Sequence, residues 1–126
     1  MWFCGNRGFL SAVEDRNNED YLIVRARRKD HLLNYFPDRP IYTVKDSDYP
    51  WRISISKVDY ADFMRDQALK ITYSNFKNSV SEHELHAFYM KVWFEGLFMQ
   101  DEQTELCEYY KKAFAKLPQP STRGPS

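Results

Sequence analysis

The sequence lacks most of the features that reveal a function directly. Only two of its 126 residues are cysteines, Cys4 and Cys107, and their separation fits neither C-x-x-C nor any other metal-binding spacing. This usage is typical of a reduced cytosolic protein and argues against a disulfide scaffold, although the two cysteines can still meet in space. There is no signal-peptide apolar region and no apolar run of the ~20 residues that span a bilayer. We therefore expect a cytoplasmic protein that does not enter a membrane.

The chain also has no excess of charge of either sign. Eighteen lysines and arginines balance eighteen aspartates and glutamates, so the net charge is zero. No global electrostatic field would then draw the protein onto nucleic acid or an anionic membrane. Any such binding must come from a local patch.

Catalytic motifs are missing as well. We find no nucleophile elbow, no phosphate-binding glycine loop before a helix, no metalloprotease helix and no cysteine paired with a nearby histidine. The G-N-R-G stretch at residues 5–8 precedes a predicted strand, so it indicates a hairpin turn. His83 and His86 form an H-x-x-H pair, but zinc needs three or four ligands, and His86 also suits a hydrogen-bonded core position. We predict no catalytic residue, metal or cofactor, and keep an enzyme without a recognisable motif as an alternative.

One stretch, Val80–Met99, has the spacing of a helix with one buried face. Its apolar stripe consists of Leu85, Phe88, Tyr89, Val92, Trp93 and Leu97. Ser81 and Glu84 have the spacing of a capping box, which predicts the start of the helix. We expect this to be the core helix, with Trp93 buried against the inward residues Ile53 and Ile55 of a strand.

The remaining elements follow from alternation, turn residues and helical spacing. Strands are predicted at Met1–Cys4, Phe9–Glu14, Tyr21–Arg28, Pro40–Lys45 and Trp51–Ser56; helices at His31–Tyr35 with an Asp30 cap, at Lys57–Ile71 with a Ser56 and Asp59 capping box, and around Leu106–Leu117. The order is βββαββααα, an α+β fold with a mostly antiparallel sheet of about five strands and three to four helices.

Three further expectations concern organisation. The part from Tyr21 to Ile71 has the β-α-β-β-α order of a partly ferredoxin-like, split βαβ unit. Residues 1–117 are expected to form a single globular domain, followed by a disordered tail at residues 118–126. The spacing does not distinguish one helix from two over residues 81–117, because the acidic residues from Asp101 onward break the apolar stripe.

A local basic patch is the strongest polar feature. It combines Arg25, Arg27, Arg28 and Lys29 with Tyr21 of the third predicted strand, and Arg52 joins them if the strand Trp51–Ser56 is a neighbour of the third. Arginines beside a tyrosine on an open sheet face can pair with phosphates and stack on bases, as in RNA-binding sheets. The simpler interpretation, which the neutral net charge favours, is a solvated face with salt bridges to Glu14, Asp20 and Asp30.

Aromatic residues are unusually abundant. The chain has nine tyrosines, nine phenylalanines and three tryptophans, and such side chains provide large contact areas at protein interfaces. Tyr109 and Tyr110 are adjacent on the last helix and cannot both face one core. We predict that one of them is on the surface and include both among the candidate binding residues.

Several segments together resemble a family of short proteins from bacteria and their phages that has no established activity. The segments are M-W-F-C-G-N-R-G-F-L-S-A-V, L-I-V-R-A-R-R, D-Y-P-W-R, Y-S-N-F-K-N-S-V and H-A-F-Y-M-K-V-W, over residues 1–93. The resemblance implies no catalytic residue. It implies the kind of small phage-like protein that inhibits or adapts a host complex, including CRISPR or other defence machinery.

The main functional hypothesis is therefore a non-enzymatic protein-interaction module whose partner is a host protein or complex. Its most specific form is a phage-encoded inhibitor of a defence or other nucleic-acid-handling complex, an anti-CRISPR candidate. The alternatives are a nucleic-acid (RNA) binding domain that uses the basic patch, and a small-molecule enzyme. The sequence leaves the identity of the partner and the oligomeric state open.

Overall fold

The computed structural model describes residues 1–100 and 105–118. The chain divides into two compact units, residues 1–81 and a second unit that begins at Glu82. A single globular domain over residues 1–117 stays a prediction. The predicted disordered tail lies outside the described residues except for Pro118.

Five strands and four α-helices are described, in the predicted order βββαββααα. The strands are β1 (Trp2–Gly5), β2 (Gly8–Asp15), β3 (Asn18–Ala26), β4 (Tyr42–Thr43) and β5 (Trp51–Ser56). The helices are α1 (Lys29–Tyr35), α2 (Lys57–Leu69), α3 (His83–Gly96) and α4 (Glu105–Ala115). The strands form one antiparallel sheet with the order β1-β2-β3-β5-β4. The predicted α+β fold class is confirmed.

The sheet order also contains the predicted split βαβ arrangement. Strand β5 lies between β3 and β4 and is antiparallel to both, so β3 and β4 run in the same direction. Helix α1 connects these two parallel strands. This is the β-α-β unit with an inserted strand that is typical of part of a ferredoxin-like fold.

The core of the first unit lies on one face of the sheet, under α1 and α2. Its buried members are Leu10, Ala12, Val24, Ala26, Leu32, Phe36, Ile53, Ile55 and Tyr60. The alternation predicted for β3 and β5 is confirmed, because Val24, Ile53 and Ile55 are at most 1% exposed. Leu22 and Trp51 pack against the same cluster.

The start of α1 differs from the prediction. β3 ends at Ala26, and α1 begins at Lys29 with Arg28 at its N-cap and no capping hydrogen bond from a side chain. Asp30 is therefore not the cap; its carboxylate accepts hydrogen bonds from Arg28, with Nη2 to Oδ2 at 2.8 Å. Burial raises the pKa of Asp30, but the hydrogen bond and charge of Arg28 outweigh burial and hold it below its usual value.

Helix α2 begins as predicted. The backbone N–H of Asp59 donates to Oγ of Ser56 at 3.0 Å, which satisfies one of the free donors of the first turn. The Asp59 carboxylate accepts from Arg39 at 3.1 Å and does not turn back to the cap. The predicted capping position is confirmed, with one of its two reciprocal bonds.

The second unit contains α3, a short 3-10 turn at Leu97–Met99 and α4. Two helices are thus described over the range in which one or two were expected, and the predicted break from Asp101 lies outside the described residues. The N-cap of α3 is Glu82, whose carboxylate accepts from the N–H groups of Glu84 and Leu85 at 3.1 and 2.6 Å. The predicted Ser81 cap is wrong by one residue.

The apolar stripe of α3 is buried over only part of its length. Leu85 and Tyr89 are 4% and 3% exposed, whereas Val92 and Trp93 are 45% and 38% exposed. The predicted burial of Trp93 is wrong. In its own unit, the Trp93 ring packs edge to face with Phe94 at 5.1 Å and with Tyr110 at 5.4 Å between ring centroids.

No helix in the described ranges is long and apolar enough to cross a bilayer.

Candidate functional site

The second face of the sheet is opposite the core, and we call it the open face. Paired residues of adjacent strands point to the same side, so the register places Trp2, Ser11, Arg25, Arg52 and Tyr42 in one row across all five strands. A second row contains Val13, Ile23 and Ser54. Tyr21 lies two residues before Ile23 on β3 and therefore points to the same face. These nine residues define the open face.

Several apolar side chains of the open face are in contact with solvent. Trp2 is 67% exposed, Tyr42 is 44% exposed, Tyr21 is 40% exposed and Val13 is 38% exposed. The solvated face of an antiparallel sheet usually carries polar residues at these positions. The open face is therefore more apolar than a purely solvated face.

One end of this side of the sheet is covered by the loop before β5, through the ring of Tyr49. This ring is only 4% exposed and lies 6.4 Å from the Phe9 ring. The guanidinium carbons of Arg25 and Arg27 lie over it, at 4.8 and 4.7 Å from its centroid. Arg25 also donates from Nη2 to Oγ of Ser11 at 3.1 Å. Two of the predicted patch arginines thus stack on a buried tyrosine.

Arg52 holds the same loop in place through two hydrogen bonds. Its Nε donates to the carbonyl of Tyr49 at 3.0 Å, and its Nη2 donates to Oγ of Ser47 at 2.8 Å. Arg27 adds a bond from Nη1 to the carbonyl of Asp48 at 3.2 Å. The sequence indicated neither this loop packing nor its tyrosine anchor, because both depend on contacts between residues far apart in the chain.

The structure does not place the whole predicted patch together. Arg28 pairs with Asp30, as the simpler interpretation expected, and Lys29 belongs to α1. The Lys29 ammonium lies 5.6 Å from the centroid of Trp51, a ring that packs against the core cluster. Neither residue belongs to the open face.

The tyrosine pair of α4 lies in the second unit. Tyr109 is 65% exposed and Tyr110 is half-buried, so the prediction that one of them is on the surface is confirmed. The inward side of α4 carries Cys107, which is 7% exposed, together with the half-buried Tyr110 and Phe114. Leu106, at the predicted start of this helix, is 63% exposed.

The histidine pair of α3 gains no further ligands. His83 is exposed and His86 is half-buried. Among residues 1–100 and 105–118, no group of three or more His, Cys, Asp or Glu side chains is arranged to hold a metal ion. His86 is also not a fully buried core residue.

The sequence missed a cleft of about 460 Å³ at the β1 edge of the sheet, within the first unit. Its lining includes Cys4, Arg7, Asn34, Tyr35, Lys70 and Tyr73. These residues come from the first hairpin, from α1 and from the chain at and after the end of α2. The G-N-R-G stretch was the only local signal, and it correctly indicated the hairpin turn, in which Gly5 pairs with Gly8.

No family model, curated protein or solved structure matches this chain. The resemblance to short bacterial and phage proteins therefore stays a prediction. The open face and the cleft are the two sites from which we infer function.

Proposed function

We propose that the protein is a non-enzymatic interaction module that binds an acidic surface of another protein through the open face. The observation that carries this proposal is the row of exposed aromatic residues at both edges of the sheet, with Trp2 67% and Tyr42 44% exposed. The row spans four strand spacings, which is roughly 19 Å at ~4.8 Å each. That width suits one side of a small protein interface.

The composition of the open face supports a protein partner. Trp, Tyr and Arg are the residues that most often dominate binding energy at protein interfaces. The open face combines all three types, in Trp2, Tyr21, Tyr42, Arg25 and Arg52. Because paired strands hold the backbone of these residues in place, little backbone entropy is lost when they bind.

The charge of the open face supports an acidic partner. Arg25 and Arg52 are paired directly across β3 and β5, and none of the nine residues that define the open face is acidic; the nearest carboxylate in the same alternation is Glu19, at the start of β3. Two guanidinium groups beside exposed aromatic rings attract aspartate and glutamate side chains and repel basic surfaces. Arg27, at the covered end, adds a third positive charge.

A protein partner fits the geometry better than a nucleic acid does. Arg25 and Arg27 stack on Tyr49, and that ring is 4% exposed, so it offers no face for a nucleotide base. Arg27 and Arg52 also donate to loop carbonyls. These bonds use part of the hydrogen-bonding capacity of the two guanidinium groups, so the groups act on a partner mainly through their charge.

The resemblance adds a class of partner to this proposal. If the protein acts as a phage-encoded inhibitor in the host cytoplasm, the acidic surface belongs to a defence complex of the CRISPR kind or to another nucleic-acid-handling complex. The identity of the captured protein in the following experiment tests this part separately.

The test places a photo-crosslinking amino acid at Tyr21 in the full chain, expressed in a bacterial host. A matched variant carries it at Val58, which is 72% exposed on α2 and lies off the open face. We expect one protein to cross-link from position 21 and not from position 58. The captured protein is then purified, and its affinity is measured by calorimetry for the parent chain and for a Tyr21→Ala, Tyr42→Ala double variant.

The expected result is a loss of affinity of at least about tenfold in the double variant, because exposed aromatic anchors dominate such interfaces. Val58→Ala should bind like the parent. Equal capture from both positions, cross-linking within the chain alone, or unchanged affinity of the double variant would overturn the proposal. Capture of RNA or DNA in place of a protein would favour the nucleic-acid alternative.

A further inference from the structure

One side of the cleft at the β1 edge is formed where the first hairpin turn is hydrogen-bonded to α1. Asn34 donates from Nδ2 to the carbonyl of Arg7 at 2.8 Å, and the Arg7 N–H donates to the Tyr35 hydroxyl at 2.9 Å. Both polar groups of the Arg7 backbone are therefore fixed by two consecutive residues of α1. These bonds hold the backbone from which the Arg7 side chain extends at the cleft.

The two glycines of the hairpin allow this close approach. A Cβ atom at Gly5 would overlap the Tyr35 hydroxyl and lie 2.6 Å from a ring carbon of Phe3. At Gly8 it would lie 3.0 Å from the backbone of His31. Because neither glycine has a positive φ, close packing and not turn conformation is what requires them.

The charge of the cleft has one sign. Arg7 and Lys70 contribute two cations, and none of the residues that line the cleft is acidic, although the chain has as many acids as bases. Within the described part of the chain, neither cation forms a salt bridge. A concave surface lined by charge of one sign concentrates its field and attracts ions of the opposite sign.

The remaining lining suits an organic molecule. Apolar and aromatic side chains of Phe3, Met64, Ile71 and Tyr73 lie beside the amides of Asn34 and Gln67. A volume of about 460 Å³ falls within the range of roughly 300 to 1,000 Å³ that is usual for small-molecule sites. Such sites combine an apolar wall with a few polar groups that orient the ligand.

We propose that this cleft binds a small organic anion, an apolar or aromatic body that bears one carboxylate or phosphate group. The anionic group pairs with Arg7 and Lys70, since guanidinium groups match both carboxylate and phosphate geometry. The body of the ligand packs on the ring of Tyr73. This site is distinct from the protein-binding function of the open face, and either can hold without the other.

Cys4 is one of the residues that line the cleft, and its reactivity provides a built-in reporter. Partial burial of the sulfur raises the pKa of this thiol above its usual value, because it disfavours the charged thiolate. Cys107 is buried in the second unit and serves as the internal comparison.

The test measures binding of two anionic probes and their neutral counterparts to the full chain by calorimetry. Indole-3-acetate is compared with indole-3-acetamide, and uridine monophosphate with uridine; inorganic phosphate alone is a further arm. We expect at least one organic anion to bind at least tenfold tighter than its neutral counterpart. The carboxylate and phosphate arms show which anionic group the site prefers.

Variants assign the binding to the cleft. Arg7→Gln and Lys70→Gln should each weaken it at least fivefold, whereas Arg16→Gln, at the exposed turn of the second hairpin, should leave it unchanged. Both cleft variants alter exposed side chains, and the bonds that hold the turn use the Arg7 backbone, so the fold is kept. Saturating ligand should also slow alkylation of Cys4 by iodoacetamide at least fivefold, measured on its peptide by mass spectrometry.

Four results would overturn the proposal. They are the absence of binding by both organic anions at millimolar concentration, equal binding of the neutral counterparts, an equal loss in Arg16→Gln, and unprotected Cys4 at saturation. A failure here leaves the open-face proposal standing, because the cross-linking test at Tyr21 uses none of these residues.

Discussion

At the scale of single residues, the buried hydroxyl of Tyr60 lowers the stability of the core. The side chain is 3% exposed, and its hydroxyl oxygen is buried without a hydrogen-bond partner among the described residues. A buried polar group without a partner costs about 1 to 3 kcal/mol of stability. We therefore expect Tyr60→Phe to raise the free energy of unfolding by about 1 kcal/mol, measured by urea denaturation. Tyr21→Phe, on the open face, should change it by less than about 0.5 kcal/mol.

The pH dependence of the same residue gives a second readout of this prediction. Burial raises the pKa of Tyr60 to about 12, because the phenolate is poorly solvated in the core. A raised pKa means that the folded state holds its proton more tightly than the unfolded state. Stability should be fully present below pH 10 and fall as the pH rises from about 10 to about 12. Tyr60→Phe should lose less stability over this window; an identical loss would contradict the assignment.

At Gly5, adding a single methyl group should lower the stability of the protein measurably. In Gly5→Ala the new methyl group would overlap the Tyr35 hydroxyl and the Phe3 ring. We expect a loss of about 1 to 3 kcal/mol, the usual cost of overpacking, together with weaker binding in the cleft. Gly96→Ala is the matched control.

This control should change stability in the opposite direction. Gly96 has helical dihedral angles at the end of α3, and the nearest atom to an added Cβ is 4.0 Å away. Alanine in place of a helical glycine stabilises by up to about 1 kcal/mol. If thermal melts show the two substitutions to be equal, the steric explanation for Gly5 is wrong.

The residues of the candidate sites show what sequence reasoning can reach. Alternation correctly placed Arg25 and Arg52 on the face opposite the core, because a two-residue period is a local property. It could not show that Arg25 and Arg27 stack on Tyr49, since Tyr49 is more than twenty residues away in the chain. The cleft likewise combines the first hairpin with the end of α2, and no local motif reveals such a combination.

At the scale of elements, the start of α3 provides a sharp test of capping. Both Ser81 and Glu82 precede the helix, and statistical preference favours serine at the N-cap. In the structure the Glu82 carboxylate accepts from two backbone N–H groups, those of Glu84 and Leu85. A longer acidic side chain can therefore serve where serine was expected, and its charge also favours the positive end of the helix dipole.

Glu82→Ala should consequently destabilise α3, whereas Ser81→Ala should not. We expect the amide hydrogens of Glu84 and Leu85 to exchange faster in Glu82→Ala, with a cost of about 1 kcal/mol. The amides of α2, which Ser56 caps, serve as the internal control in the same sample. Faster exchange in Ser81→Ala and not in Glu82→Ala would restore the capping box that the sequence predicted.

At the scale of the whole molecule, the fold class and the buried face of β3 and β5 were predictable, and the helices that cover that face were not. The order of elements follows from local periods and turns, and it is confirmed over the described residues. A helical stripe, however, states only which face is apolar and not what covers it. The stripe of α3 therefore suggested a central core helix, although the buried cluster on the sheet is formed by strands, α1 and α2.

Substitutions of Ile53 and Trp93 distinguish a core formed on the sheet from a core formed around α3. Ile53 is fully buried in the sheet's core cluster, and Ile53→Ala should cost about 2 to 5 kcal/mol. Trp93 is 38% exposed and lies outside that cluster, so Trp93→Ala should leave the amide protection of β3 and β5 unchanged in hydrogen exchange. If Trp93→Ala instead exposes these strand amides as Ile53→Ala does, the stripe of α3 supports the sheet after all, and the chain is organised around this helix.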